Sequence, residues 1–219
     1  MQHFISQDTL LKMKPRYRAQ LINSLSGFKS ANLIGTRDEQ GNNNLAMFSS
    51  VVHLGASPAL VGFITRPNSV ARHTLANIIH TKHFTINQVH EGFWRAAHQT
   101  SASYNAEQSE FEQTDLTPQD IDGFSAPFVK ESLLKYALTL REIVPIELNG
   151  TQLVIGEISD IICDDMAIKA DGYIDIESLH TVAISGLDSY HTSKRLSRLS
   201  YAKPGVNPQD ISLNGVIED

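Results

Sequence analysis

Apolar positions recur at four-residue spacing over residues 15–25, where Tyr17, Leu21 and Leu25 share one face. A helix is predicted there, opened by Pro15 and closed at Gly27. Residues 31–37 read as a strand, and 38–44 (DEQGNNN) as a turn by composition. Residues 45–52 read as the antiparallel partner strand, and 55–58 (GASP) as another turn. Residues 59–65 form a nearly continuous apolar run, which predicts a third, buried strand. A second helix is predicted to open at 67–69, with Ser69 as N-cap and Val70, Leu75, Ile78 and Ile79 as its apolar face. In 83–89, Phe84 and Ile86 alternate with Thr85 and Asn87, again a strand.

Beyond this, 92–101 reads as helical and carries Trp94, and 114–126 is polar and turn-rich. Residues 133–148 have the length of one or two strands. Asn149-Gly150 is a hairpin signal with 152–162 as the returning strand. Residues 166–179 show no clear period, 181–185 suit a short strand, and the segment from Lys203 reads as a tail that is loose or ordered on contact. About seven strands with two or three inserted helices, joined by short turns, favour antiparallel pairing. The expected architecture is mostly β, a barrel or sandwich with helical insertions rather than a doubly wound sheet. The expected organisation is one domain over residues 1–205 with a C-terminal tail over 206–219.

Composition changes this picture little. The chain has 219 residues, 41% hydrophobic and 19% charged, which is ordinary for a globular protein. A net charge of −6 argues against a nucleic-acid binder, which needs clustered Lys and Arg, but leaves room for a local anion pocket. The single cysteine, Cys163, makes no internal disulfide and excludes a finger-type zinc site; it reads as a small buried strand residue. The N-terminus lacks a signal-peptide pattern, and the longest apolar run, 59–64, is too short to span a bilayer, so a cytoplasmic protein without membrane contact is expected. No dinucleotide-binding, P-loop, nucleophile-elbow or HExxH pattern is present. Nine histidines include His80, His83, His90 and His98, yet no carboxylate falls at a ligand spacing. They read as surface or capping residues, and no metal site is expected.

Candidate chemistry gathers around the second helix. A helix start offers free N–H groups and partial positive charge, which suit a phosphate. Arg66, Arg72 and His73 add charge and donors, while Thr74 and Asn77, three apart, share a face. Upstream, Ser49-Ser50 would place two hydroxyls in a strand whose core needs neither.

The runs Asn44 to Ser50, Ser57 to Phe63, Arg72 to Ile78 and Phe84 to Asn87, with Ser109 to Glu112 and Leu153 to Glu157 further on, resemble in order and spacing the flavin reductase-like family, the FMN-binding split β-barrels. The resemblance spans roughly residues 15–205. It implies a split β-barrel that forms a homodimer, with FMN in a groove near the subunit interface. By position, Ser49, Ser50 and the backbone at Val51 would meet the ring or ribityl part. Arg66, Arg72, His73, Thr74 and Asn77 would lie toward the ribityl chain and phosphate. Tyr190, His191, Lys194 and Arg198 would be lent by the second subunit. Where many members carry Lys-Asp-Thr, this chain has Arg72-His73-Thr74, which removes a carboxylate beside the phosphate.

The implied activity is an NAD(P)H-dependent flavin reductase or oxidoreductase, with hydride passing through flavin N5 from NADH or NADPH. A non-catalytic FMN electron carrier and a flavin-dependent oxygenase on a small organic substrate are the alternatives. The shorter FMN is expected over FAD, since nothing marks an adenosine pocket. The chemistry belongs to the cofactor, so no catalytic side chain is assigned, although His53 and His73 are placed to assist. Phe48 and Phe63 read as core.

Overall fold

The computed structural model describes residues 1–67, 73–105 and 108–216. The chain opens on two helices, α1 (Gln7–Lys12) and α2 (Pro15–Ser24). Only the second carried an apolar stripe in the sequence; α1 is started instead by its cap, the Ser6 hydroxyl accepting from Thr9 N. Then follow β1 (Lys29–Ser30), β2 (Asn32–Arg37), β3 (Asn43–Phe48), β4 (Val52–Ala56), β5 (Ala59–Thr65), α3 (His73–Thr81), β6 (His83–Gln88), α4 (Trp94–Gln99) and α5 (Glu110–Thr114). The remainder is β7 (Pro118–Ile121), β8 (Phe124–Val129), the long pair β9 (Leu134–Ile146) and β10 (Thr151–Cys163), then β11 (Val182–Ser185), β12 (Ser189–Thr192), β13 (Arg198–Leu199) and β14 (Asp210–Ile211).

Seven strands make one antiparallel sheet in the order β3-β2-β6-β9-β10-β5-β4. Its two edges, β3 and β4, are consecutive in sequence and separated only by Ser49, Ser50 and Val51. Laid flat, the edges would stand about 28 Å apart, yet the connecting chain reaches at most about 14 Å. The sheet therefore curls until its edges nearly meet, giving a barrel split along β3 and β4. At the seam, the β4–β5 register (Val52 opposite Gly62) continues to place Ser50 opposite Ile64. There the Ser50 hydroxyl accepts from Ile64 N and donates to Ile64 O, both at 3.1 Å, replacing a backbone ladder pair.

That seam corrects the expected strand over 45–52. Ser49 and Ser50 lie in the crossing between edges rather than within a strand. Asn43 and Asn44, read as turn, are strand residues facing Arg37 and Thr36, because Arg37 Nε holds Asn43 Oδ1 at 2.8 Å and tertiary pairing overrides their turn preference. Gly55 and Ala56 likewise belong to β4. The polar stretch 114–126 conceals the hairpin β7–β8, and 133–148 is one strand. Gly150 closes the β9–β10 hairpin with a positive φ of 71°, in a four-residue rather than a two-residue loop. The segment after 203 carries β14, which pairs with β13, and Arg198 donates to the carbonyl of Leu213.

Two apolar clusters use opposite faces of the sheet. Inside the barrel lie Ile34, Phe63, Ile78, Phe84, Ile86, Leu138 and Val154, with Phe63 edge-on to Phe48 at 5.0 Å and to Phe84 at 5.6 Å. The outer face of β2 and β3 presents Leu33 and Leu45 to Phe93, Phe111, Leu116, Val129 and Ile184. β2 and β6 are thus covered on both faces, which is why they are buried almost without alternation.

Candidate functional site

β3 is an open edge, and α3 lies against its first half. A polar network joins them. Asn44 Nδ2 donates to Thr36 Oγ1 at 3.2 Å and to Thr74 Oγ1 at 3.0 Å, and Asn77 Nδ2 donates to Thr36 Oγ1 at 3.2 Å. Thr36, Thr74 and Asn77 are buried, so this network anchors the helix on the sheet. His73, one residue before Thr74, is exposed and walls a small cleft together with Asp38, Asn42, Asn44 and Glu110.

Glu110, at the start of α5, closes that cleft. Its Oε2 accepts the edge amide of Leu45 at 2.9 Å. Antiparallel pairing turns alternate residues to the same side, so the backbone of Met47 faces the open edge as Leu45 does. Burial pushes the Glu110 carboxyl above the ordinary carboxylate range, against the opposing pull of the Leu45 amide and the His73 charge. A raised folded-state pKa gives a contribution to stability that is full below the unfolded value of about 4.3 and is lost as pH rises through the folded value. Glu110→Gln keeps an acceptor for Leu45 but cannot ionise. Its stability relative to the parent protein should therefore improve between pH 4 and pH 7, read from urea midpoints; a difference independent of pH would contradict this account.

The other predicted residues sit at the seam end of β3. Ser49, Ser50 and Val51 are half-buried, with Val51 against the inner cluster. Arg66 is exposed just beyond β5, and Gln152, opposite Thr65, holds a buried side-chain oxygen without a partner. Arg72, with Ser69 and Val70 of the expected helix start, lies outside the described residues. From Asn44 to Ser49 the strand advances about 17 Å. A groove along the β3 edge would thus carry the Thr74 network at one end and the seam at the other.

Tyr190 and Arg198 find partners elsewhere. Tyr190, on β12, meets His98 Nδ1 through its hydroxyl at 2.9 Å and stacks obliquely on Trp94 at 5.1 Å. Burial, with the Asp188 charge adding, pushes its phenol up to about 12. Lys194 is exposed. Arg198 binds Asp171 and lies 4.2 Å over the Tyr173 ring, tying the C-terminal segment to the loop after β10. His53, on β4, is exposed.

The sequence did not single out Thr36, and it offered Asn44 and Glu110 only within the runs of the resemblance, without a role. Only the three-dimensional pairing of β2, β3 and α5 unites them. Beside the small cleft is a larger one of about 310 Å³, lined by Asn42, Asn43, Ser109, Phe111, Leu116 and Pro118, into which the structure also brings an unpartnered, buried Ser109 hydroxyl. The histidines cap and pair: His83 with Ser125, His90 with the Glu131 carbonyl, His80 with Glu39 and His180 with Glu91. Cys163 is a strand residue beside Leu134 and Leu179, half-buried rather than buried as expected.

Residues 25–177 match the model of the flavin reductase like domain. A split-barrel protein of flavin reductase type from Shewanella frigidimarina NCIMB 400 superposes with a TM-score of 0.89 at 53% identity, covering 92% of this chain and all of its own. Component B of nitrilotriacetate monooxygenase from Bacillus cereus gives 0.80 at 20% identity, over 91% of this chain and 99% of its own. The 2-nitrobenzoate 2-nitroreductase of Pseudomonas fluorescens gives 0.78 at 18% identity, over 94% and 99%. At those identities the last two are likenesses of fold.

Proposed function

The chain belongs to the flavin reductase-like domain family, and from that premise we propose that it is an FMN-binding oxidoreductase that takes electrons from NADH or NADPH. One observation carries the reading: an open strand edge flanked at one end by the Thr36–Asn44–Thr74–Asn77 network and at the other by the Ser49–Val51 seam. The residues present fit a flavin. Gln152 and Ser109 leave buried oxygens without partners near the two ends, and the β3 backbone at Met47 faces outward to meet a planar heterocycle.

When bound, FMN would supply hydride transfer through its N5. The chain would bind and orient it. Ser49, Ser50 and Val51 line the ring end. Because the Ser50 hydroxyl already spends its proton on Ile64 O, it offers a lone pair, and donors at that end come from the Ser49 hydroxyl and backbone N–H groups. Arg72 and His73 receive the phosphate and Arg66 lies toward the ribityl chain, with Thr74 and Asn77 holding α3 in place. The upward shift of Glu110 matters here, since a neutral carboxyl repels a neighbouring phosphate less than a charged one. The chain acts as a homodimer in which Tyr190, Lys194 and Arg198 of one subunit approach the flavin of the other.

The test is an absorption spectrum of the purified protein with FMN, then with FAD, followed by anaerobic NADH and NADPH. Rapid bleaching of bound flavin supports the reductase. Bands that persist until a chemical reductant is added favour an electron carrier or an oxygenase, and failure to bind any flavin sinks the proposal. His73→Ala combined with Thr74→Val should weaken FMN by about 1.5–3 kcal/mol. An unchanged dissociation constant would remove the α3 end from the site.

A further inference from the structure

The first 30 residues are chemically unlike the rest of the chain. They carry five cations (Lys12, Lys14, Arg16, Arg18, Lys29) against one anion (Asp8), a net charge of +4. With −6 overall, residues 31–219 hold −10. Residues 1–24 of this segment, with both helices, lie outside the stretch matched by the family model. Neither α1 nor α2 buries a single residue. Leu11, Tyr17, Leu25 and Phe28 remain between 62% and 72% exposed. Helices of six and ten residues are marginal in water on their own, and most helical stability comes from a packed apolar face. None of the five cations is ion-paired among the described residues, although Arg18 caps carbonyls of Leu10 and Leu11 and Lys29 those of Asn23 and Gly186.

The complementary surface is on the same chain. At the end of β10 and the turn after it, Ile161, Met166 and Ile168 are exposed, and Asp160, Asp164 and Asp165 lie among them, none ion-paired with a cation among the described residues; the one cation beside them, Lys169, is tied to the Met166 carbonyl at 2.7 Å and leaves the segment net acidic. One surface is basic and apolar; the other is acidic and apolar.

We propose that the N-terminal helix pair of one copy docks on the 160–168 segment of a second copy, and the reverse, in an isologous contact. A lipid surface is the other natural occupant of a basic apolar arm, but a body of −10 would be repelled by anionic headgroups, whereas it attracts the arm of its twin. The inference rests on the homodimer of the preceding section and names its contact.

Sedimentation velocity of the full-length protein tests it. The parent protein should be dimeric. Reversing the arm (Lys12→Glu, Lys14→Glu and Arg16→Glu together) should raise the dimer dissociation constant by about tenfold or more. Reversing the strand end (Asp160→Lys with Asp165→Lys) should do the same. Combining both sets in one chain should restore dimerisation. All the positions are on the surface, and far-UV circular dichroism verifies that each variant is folded. If the singly reversed variants dimerise as tightly as the parent, the contact lies elsewhere and this inference fails while the homodimer stands. A monomeric parent overturns both. Arm-dependent binding to phosphatidylserine vesicles by a dimer indifferent to these charges would make the membrane the occupant instead.

Discussion

An Asn87→Leu variant is expected to lose about 3–5 kcal/mol of stability. Asn87 is fully buried on β6 and uses both ends of its amide. Nδ2 donates to the Leu33 carbonyl on β2 at 3.1 Å and to Thr85 Oγ1 at 3.0 Å, and Oδ1 accepts from Val129 N on β8 at 2.8 Å. One side chain therefore binds two strands of the main sheet to the hairpin that covers it. Leucine has a similar volume, so no large cavity opens. The cost comes from a buried N–H and a buried carbonyl left without this partner, each worth about 1–3 kcal/mol. Against a typical total of about 5–15 kcal/mol, the urea midpoint should fall by a large fraction of its value. A loss under about 1 kcal/mol would mean that β8 is held by its apolar contacts alone.

Gly35→Ala should be nearly as damaging, by about 3 kcal/mol. A Cβ on residue 35 would stand 2.2 Å from the Pro127 carbonyl oxygen and 2.6 Å from Thr85 Oγ1. Those two atoms bond to each other at 2.6 Å. Neither belongs to the flexible end of a long side chain, so β8 as a whole must lift from β2 and the Thr85 bond must stretch. Near-parental thermal stability in this variant would show the hairpin to be free to move, and would also weaken the case made for Asn87. Both changes act about a strand away from the proposed flavin groove, so flavin affinity of the folded fraction should survive while stability falls.

The contrast between these residues and the ones read from the sequence has a physical origin. β5, β6 and α3 were legible because their apolar period reports a local decision: which face is buried. The β9–β10 hairpin was legible because Asn149-Gly150 is local turn chemistry. The seam was not. Ser50 bonds to Ile64, 14 residues on, only because the sheet curls, and curling is a property of all seven strands. Asn43 and Asn44 carry turn chemistry and were drawn into β3 by partners on β2. The hairpin β7–β8 reads as polar because its outer positions face water while Ala126, Phe128 and Val129 turn inward. In the candidate site, Thr74 and Asn77 were visible as a helix face and His73 as a donor beside them. Their partners Thr36 and Glu110, 37 residues before and 37 after His73, could be found only by folding the chain.

The strand order has a consequence for how the protein can be made. Its centre, β9 and β10, is the part of the sheet synthesised last, whereas both flanks come earlier: β3-β2-β6 on one side and β5-β4 on the other. A nascent chain emerging from the ribosome therefore holds two incomplete half-sheets, linked by three residues at the seam, with the inner edges of β6 and β5 bare. They cannot be joined until residue 163 has cleared the exit tunnel. Through that interval the chain displays two unsatisfied β-edges rich in Phe and Ile, the condition in which newly made chains associate with one another. Slowing translation after β6 has emerged and before residue 163 has cleared the tunnel should thus lower soluble yield, and slowing it later should not.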